Sequence, residues 1–264
     1  MLQFSISPIP LMARVFKRSL LLSVFSFIVF LLPAQNAPSP FCLRGEVAAP
    51  LVIVSFSAQG GAYYFKQRHP RVPTEESILR LQPRQVNRFD RSAIYQHSKV
   101  ARYISDATLY SAPLLPLILL SNPNSRKDFG KIFLMDVEVF LLNTALTNLV
   151  KEAVHRPRPL AYNPRTQVWE KRYSDNFHSF FSGHVSTVAS QSFFFAYVWQ
   201  AYNPDNKWAP LVWSLSATLP VITALTRYKA GKHFWTDVLA GYAVGALVGV
   251  AVPALQRQEL WRGK

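Results

Sequence analysis

Residues 226–237, TRYKAGKHFWTD, place one arginine, two lysines, a histidine and an aspartate between two apolar runs without charge, 209–225 and 238–255. A helix that begins before His233 carries Asp237 one turn later on the same face. A carboxylate there can hold one imidazole nitrogen and fix the tautomer, leaving the other nitrogen as a nucleophile or base. Arg227 adds a cation upstream. A second cluster is FSGH, 181–184, which opens the apolar run 185–202. Ser182 and Gly183 at a helix start offer a hydroxyl, backbone amides and the positive end of the helix dipole, a combination suited to an anion. His184, in the first turn, is placed to deliver a proton; plain N-capping by Ser182 is the competing reading. The third cluster is KEAVHRPRP, 151–159. Pro157 and Pro159 stop the helix and keep the chain extended, so that Lys151 and Arg158 can meet one phosphate from two sides. Taken alone, this cluster also reads as the positive flank of a membrane span.

A metal is the other chemical option. His155, His178, His184, His233 and Asp237 are available donors, but beyond the His233/Asp237 pair none has a metal-ligand spacing, and the lysines and arginines around them repel a dication. No metal and no cofactor is expected in the reaction.

These clusters need elements to hold them. The chain has 264 residues, 50% of them hydrophobic, with 29 Lys+Arg against 14 Asp+Glu and a formal charge of +15. Such a basic excess points to anionic partners. The basic residues are spread through loops and form no nucleic-acid-binding module, so nucleic acid is not an expected partner. Cys42 is the single cysteine, which excludes an intrachain disulfide. Residues 1–37 read as a signal peptide or amino-terminal anchor: Arg14, Lys17 and Arg18 precede a short apolar core. Charge-poor stretches then recur at 48–65, 107–121, 132–150, 185–202, 209–225 and 238–255, several near the minimum length that crosses a bilayer. The expected fold is all-α, a transmembrane helical bundle of about six spans with the active site at helix ends near one membrane face. Gly241, Gly245 and Gly249 form a small-residue stripe at four-residue spacing that should turn the His233/Asp237 face toward neighbouring helices. A soluble all-helical bundle is the rival, but the last three stretches lack the polar stripe of a soluble helix. Asp136 and Glu138 are expected near the membrane surface.

Together the clusters resemble the three-part signature of the type 2 phosphatidic acid phosphatase and vanadium haloperoxidase superfamily: K-x6-R-P, then P-S-G-H, then S-R-x5-H-x3-D. Lys151, Arg158 and Pro159 match the first part, Ser182, Gly183 and His184 the second, Arg227, His233 and Asp237 the third. Phe181 replaces the family's proline and Thr226 its serine. The resemblance covers about 132–255, within an expected membrane-embedded phosphatase domain over 48–256 with its catalytic core at 132–256.

The resemblance implies a metal-independent phosphatase. His233 would attack phosphorus to give a phosphohistidine, with Asp237 orienting it, and His184 would protonate the leaving alkoxide and then activate water. Lys151, Arg158, Arg227, Ser182 and Gly183 would hold the phosphate oxygens. The expected substrate is a lipid phosphomonoester or a polyprenyl diphosphate, and the expected partners are that lipid phosphate and membrane lipids; no motif sets an oligomeric state. The alternatives are a soluble exported acid phosphatase and a non-catalytic membrane protein that binds anionic lipid. The expected location is the bacterial cell envelope. Positive-inside reasoning puts the basic loop 66–102 and the clusters in the cytoplasm, whereas the family's membrane branch more often works outside, so the membrane side stays open.

Overall fold

The computed structural model describes residues 39–68 and 74–258, so the expected signal or anchor at 1–37 lies outside the described residues. Six long helices follow one another: α1 (Gly45–Arg68), α2 (Lys99–Ser111), α3 (Phe129–Val154), α4 (Gly183–Tyr202), α5 (Ala209–Lys229) and α6 (Trp235–Leu255). The chain runs from α2 straight into a 3-10 segment, Ala112–Ser121. Pro113 and Pro116 each remove an amide donor there, and the backbone tightens. Among the described residues β structure is limited to one isolated bridge, Phe41 to Arg257, and the fold is all-α.

Four of these segments are long and apolar enough to cross a membrane: Lys99–Ser121, Phe129–Tyr162, Ala209–Lys229 and Trp235–Leu255. The protein is an integral membrane protein, and the distribution of side chains agrees. Ile53, Leu117, Leu215, Ile222, Leu239 and Leu247 are exposed on the outer faces of the bundle, where lipid is the matching solvent. Polar side chains are turned inward. α4 is long but less apolar, and it is the central helix. Its Ser186, Thr187, Ser190, Gln191 and Ser192 are all buried, and Ser186 and Thr187 make side-chain hydrogen bonds to Thr147 and Asn143 of α3.

The glycine stripe explains how α6 reaches this helix. Gly241, Gly245 and Gly249 lie against the backbone of Ser182, Ser186 and Ser190 respectively, at the same four-residue step on α4. A Cβ on Gly241 would stand 2.6 Å from the Ser182 carbonyl oxygen, closer than side chains pack, so only glycine permits this approach. The stripe faces inward, as its spacing predicts.

Asp136 and Glu138 face the interior of the protein. Both are buried, at 9% and 8% exposure. Glu138 accepts a hydrogen bond from Gln256, whose side-chain carbonyl in turn caps the amide of Arg44 at the start of α1. The acids face protein because lipid offers no partner for a carboxylate.

Candidate active site

The three clusters meet at one end of the bundle. α3 supplies Lys151 from its last turn, and His155, in the left-handed region at φ 49°, then breaks the helix. Pro157 and Pro159 carry the chain in extended form to Arg158, after which Pro159–Tyr162 makes a single turn. α4 begins at Gly183, α5 brings Arg227 in its last turn, and α6 begins at Trp235.

His233 therefore sits just before α6, on an extended link, and not on the helix. It is 1% exposed. Its Nδ1 lies 2.9 Å from the Ser179 carbonyl oxygen. A carbonyl only accepts, so Nδ1 carries the proton and Nε2 presents a lone pair. Asp237 stands 3.7 Å from Nδ1, outside hydrogen-bond reach. Its role is one step removed. Asp237 accepts from the Ser179 hydroxyl at 2.6 Å, the Phe234 amide at 2.9 Å and Arg156 at 2.6 Å. It thereby fixes both the residue that holds the imidazole and the backbone that follows His233. Burial first, then the positive charges of Arg158, Arg227 and Lys151, hold the His233 pKa well below its ordinary 6.5. At neutral pH the ring is uncharged and its Nε2 is nucleophilic.

His184 is organised by a residue from α2. Its Nε2 lies 2.9 Å from Asp106 Oδ1. That carboxylate fixes the tautomer, so that Nδ1 is the proton-transferring atom; burial first, then the charge of Arg227, lower the ring's pKa to about 4 against the opposing pull of Asp106. Arg227 reaches the same oxygen at 3.4 Å.

Cationic groups and free backbone amides lie close to these two rings. Arg158, 3% exposed, donates from Nε to the Asp175 backbone carbonyl at 2.8 Å and from Nη2 to the Asp175 carboxylate at 2.9 Å. This fork grip sets the guanidinium plane and leaves further N–H donors. A Cβ on Gly183 would come within 3.4 Å of Lys151 Nζ, so glycine admits the ammonium to the first turn of α4. The Ser182 amide donates to the Asp237 carbonyl, but the amides of Gly183 and His184 have no carbonyl four residues back within the helix. Ser182 makes no side-chain cap. Its hydroxyl oxygen and Arg227 Nε are buried and lack a hydrogen-bond partner in the structure. Buried donors without partners are uncommon, and an oxyanion at this point would satisfy both. All eight residues singled out in the sequence thus fall at this one end of the bundle, with Asp237 behind the imidazole instead of beside it.

Comparison with known proteins places the matching region over the same residues. The family described as the PAP2 superfamily matches residues 136–261. A curated relative, phosphatidylglycerophosphatase B of Bacillus subtilis (strain 168), is 28% identical over 142 residues, which span 52% of this chain and 65% of the relative. A crystal structure of a transmembrane PAP2-type phosphatidylglycerolphosphate phosphatase from Bacillus subtilis aligns over 93% of this chain and 98% of its own, at 20% identity and a TM-score of 0.48.

The supporting residues of this site carry less evident sequence signals. Arg156 links Asp237 to the buried Asp90, at 2.6 and 2.8 Å, and its guanidinium lies 4.3 Å over the Phe234 ring. Asp90 also accepts from the amide and hydroxyl of Thr236. The loop before α2 is thus bolted to the start of α6, helped by a small core of Val86, Ala93, Ile94, Tyr228 and Phe234. Two of these residues carried a signal. Asp106 is the one acid in the apolar candidate span Lys99–Ser121, and Asp90 is an acid among arginines. Ser179 acts through its carbonyl, which no residue type encodes.

Proposed function

We propose that the chain is a phosphatase that hydrolyses a lipid phosphomonoester or a polyprenyl diphosphate through a phosphohistidine on His233. The observation that carries this reading is the Nδ1–H of His233 held by the Ser179 carbonyl. It leaves Nε2 as a buried lone pair among three cations. In the first step Nε2 attacks phosphorus, and the bond from phosphorus to the ester oxygen breaks. The leaving oxygen takes a proton from Nδ1 of His184, which becomes charged once the negative phosphate offsets the burial and cations that hold its pKa down, while its Nε2–H stays on Asp106. In the second step water attacks the phosphohistidine and gives its proton to His184 Nδ1. The P–N bond breaks, and inorganic phosphate leaves. Lys151, Arg158, Arg227, Ser182 Oγ and the first amides of α4 bind the nonbridging oxygens as negative charge builds on them. The chain's own groups supply the positive field.

A lipid substrate is favoured by position. The site sits at the ends of helices apolar enough to cross a bilayer, so a phosphate can reach it while acyl chains stay in lipid. The relative named phosphatidylglycerophosphatase B supports a lipid-borne phosphate. Beside the site a cavity of about 490 Å³ is lined by Lys99, Arg102, Tyr173, Asp175 and Lys232 among others, a basic vestibule suited to the rest of a phosphorylated headgroup. The test is phosphate release from detergent-dispersed phosphatidylglycerophosphate, phosphatidic acid and undecaprenyl diphosphate, with rapid acid-free quenching to trap radiolabel on the protein. Label on wild type that is stable to alkali, labile to acid and absent from His233→Ala is expected. Turnover in His233→Ala at the wild-type rate would remove the nucleophile.

A further inference from the structure

Glu152, His155 and His178 take no part in the phosphate chemistry, yet they converge. Glu152 is on the last turn of α3, His155 is the left-handed residue that ends it, and His178 closes the short 3-10 turn Ser174–Phe177. One ligand atom from each lies within 4.8 Å of the other two, and the two imidazole rings are 5.2 Å apart.

The surroundings of His178 Nε2 point to what the cluster is for. Its Nδ1 is 2.9 Å from the Ser174 carbonyl oxygen and must donate to it. Nε2 is the ring nitrogen left to face the cluster. That atom is shielded from solvent, has no hydrogen-bond partner and stands 3.5 Å from Glu152 Oε2. A direct charge-assisted hydrogen bond would bring the pair to ~2.8 Å. Two ligands of a tetrahedral zinc ion, each about 2.0–2.1 Å from the metal, stand about 3.3 Å apart. The observed spacing fits the second case, and His155 supplies the third corner. We infer that Glu152, His155 and His178 form a binding site for a divalent cation of the borderline class, Zn²⁺ above all.

Such an ion would act on the phosphate site without touching substrate. Glu152 follows Lys151, His155 lies three residues before Arg158, and His178 precedes Ser179, whose carbonyl holds His233. One bound ion ties the end of α3 to the segment carrying Ser179 and sets the two against each other. Lys151 and Arg158 oppose a further positive charge nearby, and the carboxylate of Glu152 offsets part of that.

The experiment uses the full chain in detergent, purified without a polyhistidine tag and stripped with chelator. Zn²⁺ is titrated calorimetrically and bound metal is counted after buffer exchange. About one equivalent is expected, with affinity at least tenfold weaker in Glu152→Gln and in His178→Ala; Co²⁺ bound to wild type should show the visible bands of a four-coordinate nitrogen and oxygen site. His233→Ala should bind Zn²⁺ as wild type does. Absence of both a Zn²⁺ heat and a Co²⁺ spectrum in wild type overturns the inference, as does binding that survives Glu152→Gln/His178→Ala or is lost in His233→Ala. None of these measurements requires turnover, so they stand apart from the test of the phosphatase reading.

Discussion

Asp237→Asn is the sharpest test of how the imidazole is held. The carboxylate accepts three hydrogen bonds inside the protein, from Ser179 Oγ and the Phe234 amide on one oxygen and from Arg156 on the other. An asparagine cannot keep them all. With its carbonyl toward Ser179 and Phe234, its NH₂ meets the Arg156 guanidinium, donor against donor. Flipped, it meets the Phe234 amide. Loss of one charge-assisted hydrogen bond costs about 1.5–3 kcal/mol. If that cost falls on the transition state through a loosened Ser179–His233 contact, kcat drops about 10- to 100-fold. Ser179→Ala removes only the hydroxyl contact and keeps the carbonyl, so about 1 kcal/mol and about a fivefold loss are expected. Both are measured as kcat and KM for phosphate release alongside Tm, and both should lower kcat at near-constant KM. A direct bond from Asp237 to the imidazole predicts another pattern: collapse of Asp237→Asn with Ser179→Ala indistinguishable from wild type. That result would refute the relay through Ser179.

Asp106→Ala should reduce kcat about 100-fold or more on an alkyl phosphate and far less on an aryl phosphate, whose phenolate leaves without a proton; equal losses on both would show that Asp106 merely supports Arg227. Burial, together with Arg158, Arg102 and Arg227, lowers the Lys232 pKa to about 8, so its charge is present below that pH and lost above it. KM should therefore rise as pH passes 8, and Lys232→Arg should move that rise to higher pH in a steady-state pH series. Gly241→Ala and Gly249→Ala should each destabilise by about 1–3 kcal/mol through overpacking against α4, read as Tm. Gly241→Ala should lower kcat as well, since its Cβ would press on Ser182, while Gly249→Ala should leave kcat near wild type.

What the sequence made legible here follows from where chemistry shows in residue types. Lys151, Arg158, His184, Arg227 and His233 are visible because a phosphate site needs cations and imidazoles, and these stand out against apolar helices. The inward face of α6 was visible because close backbone approach admits only a glycine stripe, and Gly241, Gly245 and Gly249 keep one helical period. The position of Asp237 was misread because spacing gives a face only inside a helix, and His233 precedes the first turn of α6. Its carboxylate therefore points to the loop that holds the ring. Ser179 was beyond reach for a deeper reason: it positions His233 with a backbone oxygen that every residue owns. Asp90 and Arg156 lie 66 residues apart, and nothing local pairs them. The burial of Asp136 and Glu138 follows a rule that composition does not state, that in a membrane an acid seeks the bundle interior even near a helix end. The reacting groups were therefore readable one by one, whereas the groups that aim them belong to long-range pairings which only the packed helices bring into being.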